Sequence, residues 1–260
     1  MSLSEKCTHP RDALIIFEEN GHVYTYNNTM HPISVTTVIH NFFPKFDADS
    51  IILKMQKSKN WINSKYYGMT KEQIKNKWSS DGKEASHLGT LMHASIENYF
   101  NFVYPNEYIP KESDSKEFLH FLGFWKAFSA KNPEWKPHKC EWIVYDEDKC
   151  IAGRIDFILK NDKDQYVILD WKRSKEIKKN NIWQKGFDIF NHLDDCNYNH
   201  YTLQLNIYRH ILETKYNKQV VAMYLVICHP DNSCAEVIPV NKKVDDILNL
   251  WNCLPLKNHH

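Results

Sequence analysis

Residues 153–172 read GRIDFILKNDKDQYVILDWK, two strand-like runs joined by the polar turn Lys160-Asn161-Asp162-Lys163-Asp164. Asp156 falls on the first run, and Asp170 and Lys172 fall on the second. Residues two apart on a strand project to the same face, so Asp170 and Lys172 point together while Trp171 points away. Around them Ile155, Phe157, Ile158, Leu159, Val167, Ile168 and Leu169 are what a buried strand requires. Carboxylates on such strands cost free energy unless something pairs with them. A divalent cation is a natural partner, because hard cations take carboxylate oxygens, waters and phosphate, and a neighbouring lysine can orient or deprotonate the attacking water. The stretch therefore suggests metal-dependent phosphodiester hydrolysis. The competing reading is a plain hairpin with solvated ends, and the rest of the chain must decide between them.

With 260 residues the chain can hold one α/β core plus an accessory region. Eight Trp, 14 Tyr and 13 Phe against only seven Gly mark it as globular rather than disordered. A net charge of +1 excludes a uniformly basic nucleic-acid binder but not basic strips around an acidic centre. Two strips are present. Residues 51–83 carry eight lysines interleaved with Trp61, Tyr66, Tyr67 and Trp78, a pattern that suits a phosphate track with stacking surfaces and equally a solvated helix face. The second strip is Lys172, Arg173, Lys175, Lys178 and Lys179. Seven cysteines without a Cys-X-X-Cys pair argue against a disulfide framework. No run reaches the ~18 apolar residues of a membrane span, and the first 20 residues resemble neither a signal nor a transit peptide. An intracellular location is expected, in cytoplasm, nucleus or a viral replication site. His259 and His260 are read as a tag remnant.

Along the chain, 14–26 predicts a hairpin about Glu19-Asn20-Gly21, and Ile33–Val38 a strand or a capped helix start. Helical spacing runs over 48–77 with breaks near Asn60 and Gly68, and Thr70-Lys71-Glu72-Gln73 is a capping box. A stronger helix spans 82–102, with Leu88, Leu91, Met92, Ile96 and Phe100 as its apolar stripe and His93 and Glu97 four apart on one face. A helix over 115–130 reads as packing. Strands follow at 138–145, 150–160 and 165–172, then a helix over 199–214 carrying Gln204 and Tyr208 on one face, strands at 219–228 and 234–240, and a closing helix at 243–252. That order gives an α/β fold, a central mixed β-sheet flanked by helices. The division expected is residues 1–84 as a largely helical N-terminal accessory region and 85–256 as the core.

Individually, His93 in an amphipathic helix, Glu141 on a strand, and Gln204 with Tyr208 each have an ordinary structural explanation. Their joint order is more specific: Gly89-Thr90-Leu91-Met92-His93-Ala94-Ser95-Ile96-Glu97, then Ala152-Gly153-Arg154-Ile155-Asp156, Asp170-Trp171-Lys172, and Gln204-Leu205-Asn206-Ile207-Tyr208. It resembles the RecB-like branch of the PD-(D/E)XK nuclease superfamily, whose core is restriction-endonuclease-like. Pro32–Val38 is also similar to a segment of the mitochondrial genome-maintenance exonuclease subgroup and its protist and large-DNA-virus relatives. The likeness covers about residues 30–215. It departs at Ile155, where other branches have Pro, and at Arg173, where relatives often have Thr or Ser.

The resemblance implies that His93, Asp156, Asp170 and the main-chain carbonyl of Trp171 bind one or two Mg²⁺ or Mn²⁺ ions. It implies that Lys172 positions water or stabilises transition-state charge, and that Gln204 and Tyr208 hold the scissile strand or the lysine. Glu141 and Glu97 are candidates for orienting ligands or holding a second ion through water. Arg173, Lys175, Lys178, Trp61, Lys65 and Lys75 are candidates for DNA contact. No iron–sulfur cluster is expected, since Cys228, Cys234 and Cys253 lack the close pair such clusters use. The activity implied is a DNA nuclease in repair, replication or recombination, an exonuclease on single strands or single-stranded ends, favoured as a monomer, with residues 51–83 as an arch over the strand. An RNA endonuclease of the cap-snatching type and a non-catalytic nucleic-acid-binding module of the same fold are the alternatives.

Overall fold

The computed structural model describes residue 3 and residues 7–256, so His259 and His260 lie outside the described residues. The elements in chain order are β1 (Ile15–Glu18), β2 (Val23–Tyr26), β3 (Ile33–Ser34), α1 (Val35–His40), α2 (Ala48–Gln56), α3 (Lys71–Asn98), α4 (Lys116–Lys131), β4 (Lys136–Asp146), β5 (Ile151–Lys160) and β6 (Gln165–Lys172). After them come α5 (Asn197–Lys215), β7 (Gln219–Ile227), β8 (Glu236–Pro239) and α6 (Val244–Cys253). The chain divides into two compact units, residues 45–91 and the remainder.

The larger unit is built on a six-stranded mixed sheet in which β3, β5, β6, β7 and β8 lie in that order and β4 also pairs with β5. The β4–β5–β6 pairs are antiparallel, and β6 runs parallel to β7 after the crossover through α5. Alternation along β5 and β6 sends successive side chains into two separate apolar clusters. Ile158 and Ile168 join Leu205 and Ile211 of α5, whereas Phe157 and Leu169 join Met92 of α3 and Phe121 of α4. The second cluster is rich in rings, with Phe100 stacked on Phe157 at 4.1 Å and edge-on to Trp125 at 4.9 Å. Full burial of one such side chain is worth roughly 1.5–3 kcal/mol, so these clusters dominate the stability of the unit.

The compact units do not divide at residue 84. The N-terminal hairpin β1–β2 belongs with the sheet: Trp142 Nε1 donates to Asp12 at 2.8 Å, Lys139 pairs with the same carboxylate, and Arg11 meets Glu147 at 2.5 Å. β3 then adds to β5 in parallel. The segment 33–38 resolves its two readings by being both, a two-residue strand whose Ser34 side chain caps α1 by accepting from Thr37 N–H. The second unit, 45–91, is helical. In it Asp49 receives Lys71 and Lys75 at 2.6 Å each, Trp78 lies edge-on to Phe46 and Tyr66, and Ile52 and Ile74 are fully buried. Thr70 and Gln73 make the expected reciprocal capping bonds at the start of α3.

The unit boundary falls inside α3, which starts at Lys71 and continues through the stretch expected to form a separate helix from residue 82. Its apolar stripe is narrower than the spacing suggests. Met92, Ile96 and Phe100 are buried, but Leu91 is 49% exposed. Among the described residues, no helix is long and apolar enough to cross a membrane.

Candidate metal centre

The last paired residues of the β5–β6 ladder are Phe157 and Leu169. Beyond them Asp156 and Asp170 stand opposite each other in register, and on the other side of β5 the position opposite Asp156 is Glu141. Three carboxylates thus form a row across adjacent strands. Glu141 reaches it through a left-handed backbone (φ 47°), uncommon for a residue with a side chain and costly enough to mark the position. Where the ladder stops, Asp156 Oδ2 takes over by accepting the Trp171 main-chain N–H at 2.8 Å.

His93 arrives from α3 because Met92 and Ile96 on either side of it are buried in the aromatic cluster. Its Nε2 lies 3.0 Å from the Trp171 carbonyl oxygen, and its Nδ1 lies 3.5 Å from Glu141 Oε1 and 3.7 Å from Asp156 Oδ2. One ligand atom each from His93, Glu141 and Asp156 falls within 4.8 Å of the others. Burial disfavours a charged imidazole there, yet the joint pull of Asp156 and Glu141 outweighs it and raises His93 to about 9.

Asp170 is buried, and Lys172 Nζ sits 2.7 Å from its Oδ2. Burial and the neighbouring Asp156 push Asp170 up to about 6 against the pull of Lys172. Lys172 is shifted upward: desolvation opposes its charge, but Asp170 and Asp156 together prevail, so it stands as an ammonium. Asp170 Oδ1 is buried with no hydrogen-bond partner among the described residues. An orphaned carboxylate oxygen beside a His–Glu–Asp group fits a hard divalent cation, whose ligands are oxygens with an occasional imidazole.

From α5, Gln204 Nε2 donates to Tyr208 Oη at 3.0 Å. The helix can approach because residue 153 is glycine. A Cβ there would lie 2.4 Å from Tyr208 Cε1 and 3.1 Å from its hydroxyl. Burial keeps the Tyr208 phenol protonated by raising its pKa well above the ordinary range.

The structure brings His93, Asp156, Asp170, the Trp171 carbonyl and Lys172 to one end of the sheet, with Gln204 and Tyr208 over Gly153. Glu141 lies with His93 and Asp156 in the group that could hold a metal ion, whereas Glu97 lies outside it and accepts from Asn101 Nδ2 at 3.4 Å. The DNA-contact candidates are divided between the two units. Arg173 is tied to buried Glu117 at 2.6 Å, and Lys175 meets Asp231 at 2.8 Å on the surface. Lys178 is exposed. In the helical unit, Lys75 is held by Asp49, Lys65 lies over the Tyr66 ring at 5.0 Å, and Trp61 is edge-on to Tyr67.

Three residues carry no role in the sequence reading. Arg154 gives Nε to Glu141 Oε2 at 2.8 Å and lies 4.9 Å over the Phe17 ring. Tyr201 lies under Lys172, with Nζ 4.6 Å from its centroid, and Glu117 holds Arg173. Arg154 was findable from strand alternation, two before Asp156, and Tyr201 from helix spacing, three before Gln204. Nothing local marks Glu117, which is 56 residues from its partner.

The fold is an α/β one, a helix-flanked mixed sheet that carries at one strand end acidic groups, a histidine and a lysine in an arrangement that could hold a divalent cation. A model of the PD-(D/E)XK nuclease superfamily matches residues 111–251, more than half of the chain, and the chain belongs to that superfamily. Nucleases of that superfamily are metal-dependent hydrolases of nucleic acid, and His93, Glu141 and Asp156 form a group that could hold a metal ion. His93 lies N-terminal to the matched span. No curated protein matches the chain. Among solved structures, the crystal structure of SSO0001 is similar at 19% identity and a TM-score of 0.26, over 52% of this chain and 54% of that one. The chain thus spans about half the length of that protein.

Proposed function

We propose that this protein is a Mg²⁺- or Mn²⁺-dependent deoxyribonuclease, an exonuclease acting on single strands or single-stranded ends. The observation that carries the reading is the convergence of His93, Glu141 and Asp156 beside the orphaned oxygen of Asp170. His93, Glu141, Asp156, Asp170 and the Trp171 carbonyl would hold the metal. When bound, such an ion supplies positive charge at the scissile phosphate and acidifies water. Its imidazole donor suits Mn²⁺ better than Mg²⁺.

Lys172, charged through its carboxylate neighbours, acts as a donor rather than a base, holding the nucleophilic water or meeting charge on the phosphate. Tyr208 accepts from Gln204 and stays protonated, which leaves its own O–H to donate to the strand. Arg154 holds Glu141 in place. Hydrolysis leaves a 5′-phosphate.

The single-strand and exonuclease features are supported by the likeness of Pro32–Val38 to the genome-maintenance exonuclease subgroup. They are also supported by the lysines and rings of residues 45–91, which suit a strand's backbone and bases. Single strands labelled at either end, duplexes, flaps and covalently closed single-stranded circles, each with Mg²⁺ and Mn²⁺, test the reading. Linear strands shortened from an end with circles left intact are expected, and cut circles would contradict the exonuclease mode. RNA of the same sequence, degraded faster than DNA, would contradict the substrate.

A further inference from the structure

Lys172 opens a long connection, residues 173–196, that runs past the N-terminal end of α5 before the helix begins. From Lys172 to Lys185 it carries six cationic side chains and one acidic one, Glu176. At its tip Ile182 and Trp183 are 83% and 86% exposed. A Trp held out in water leaves a large ring unburied, the kind of exposed apolar surface that marks an interaction site.

The tip is fixed rather than loose. Asn181 N–H donates to Asp194 Oδ2 at 3.0 Å and Asn181 Nδ2 donates to the Asp195 carbonyl at 2.7 Å, while Asn181 Oδ1 accepts from Trp183 N–H at 3.0 Å. Asp195 N–H closes the base of the loop on the Gln184 carbonyl at 2.9 Å. Those bonds occupy the polar groups of Asn181 and aim the next two side chains outward. A cavity of about 630 Å³ opens beside them, lined by Lys178, Asn181, Ile182, Trp183 and Asn197.

A line of rings and cations joins this tip to the metal centre. Tyr208, Gln204, Tyr201 and Tyr198 fall at three- and four-residue intervals on one stripe of α5, which spans about 15 Å at 1.5 Å per residue. Lys172 Nζ lies 4.6 Å from the Tyr201 centroid, and one turn earlier Lys179 Nζ lies 5.7 Å from the Tyr198 centroid. Tyr198 N–H donates to the Lys178 carbonyl at 3.2 Å, fixing the connection against the helix just before Asn181. Two acidic groups along the way are engaged, Asp194 with Asn181 and Asp195 with His200 at 2.9 Å, whereas Glu176 and Asp188 are exposed.

We infer that Trp183, with Ile182, Tyr198 and Lys179, forms a stacking subsite that holds a base and its phosphate on the part of a single DNA strand lying outside the metal centre. An exposed ring beside lysines is the composition that sequence-tolerant single-strand binding uses; Lys172, Arg173 and Lys175 are paired with Asp170, Glu117 and Asp231, and exposed Lys178, Lys179 and Lys185 supply the cations for a polyphosphate backbone. A backbone already held at Trp183 leaves less to immobilise on binding than a mobile loop would. The inference rests on the nuclease reading, because it takes DNA as the substrate.

Fluorescence anisotropy of a labelled 20-nucleotide oligothymidine, measured in EDTA, tests it on the full chain. Trp183→Ala should weaken binding by about 5- to 150-fold, the value of one to three kcal/mol of stacking. Trp183→Phe should keep most of the affinity, because a ring is retained. In turnover on the same strand with Mn²⁺, Trp183→Ala should raise KM by a similar factor with kcat near the parent's. Parent-like affinity and KM in Trp183→Ala would overturn the subsite while leaving the nuclease reading standing. A parent that neither binds nor cleaves the strand would overturn both.

Discussion

Asp156 Oδ2 accepts the Trp171 main-chain N–H at 2.8 Å, one residue beyond the last pair of the β5–β6 ladder. One carboxylate thereby serves two ends: it replaces a lost sheet bond, and it lies in the group that fits a cation. The two roles separate by substitution. Asp156→Asn keeps an acceptor for Trp171 but removes the charge, so its unfolding free energy should stay near the parent's while turnover falls by about a hundred-fold or more. Asp156→Ala should in addition lose about 1–3 kcal/mol in chemical denaturation, the cost of a buried N–H without a partner. Equal stability of the two variants would contradict the structural role.

Gly153 and Tyr208 should behave as one packing unit. Gly153→Ala drives a methyl into a buried ring and is expected to destabilise by about 1–3 kcal/mol. Trimming the ring should relieve that strain, so Gly153→Ala combined with Tyr208→Leu should show a favourable coupling of at least about 0.5 kcal/mol in a double-mutant cycle. Additive losses would place the methyl's cost elsewhere.

Arg173 and Glu117 form a largely buried pair at 2.6 Å, and the hydrogen bond from its own main-chain N–H together with Arg173 holds Glu117 below the usual carboxylate range despite its burial. Arg173→Ala leaves that carboxylate buried and alone, and a loss of about 3 kcal/mol is expected. Arg173→Met with Glu117→Leu should recover most of the loss, because an apolar pair needs no compensation. If Arg173→Ala is stable and only weakens DNA binding, the residue is a surface contact instead.

His138 sets a pH dependence remote from the centre. Burial, with Lys160, Lys218 and Lys139 nearby, pushes it from 6.5 down to about 4. As pH falls from 6.5 toward 4 the unfolded chain takes up a proton that the folded chain refuses, so stability declines across that window. Above it both states are neutral and the residue contributes no slope. Denaturation at intervals from pH 7.5 to 4 should show a shallower decline for His138→Gln than for the parent, and parallel curves would contradict the shift.

Much of the fold is legible locally. Alternating apolar runs give β4 to β8, and Thr70 with Gln73 and Ser34 with Thr37 give helix starts from side-chain chemistry alone. Asp170 with Lys172 and Gln204 with Tyr208 stand out because strand and helix periodicity place each pair on one face, and His93 and Asp156 stand out through the order of the motifs that contain them. What stays hidden is set by long-range packing. Residues 7–44 join the sheet through Asp12 and Arg11, whose partners lie more than 120 residues away. Glu141 becomes part of the cation-fitting group through one left-handed backbone angle that no sequence pattern announces. Leu91 looks like core by spacing and is half in solvent.

The central claim is that a cation held by these carboxylates hydrolyses DNA. Its most direct test is the release of nucleotides from a 5′-labelled single strand by the parent and by Asp170→Asn, each with Mn²⁺, with Mg²⁺ and with EDTA, both proteins first shown to be folded by circular dichroism. The account predicts degradation by the parent with either metal, none in EDTA, and at most about one-hundredth of the parent's rate for Asp170→Asn. A folded parent that leaves the strand intact with both metals, or an Asp170→Asn variant that degrades it as the parent does, would contradict it.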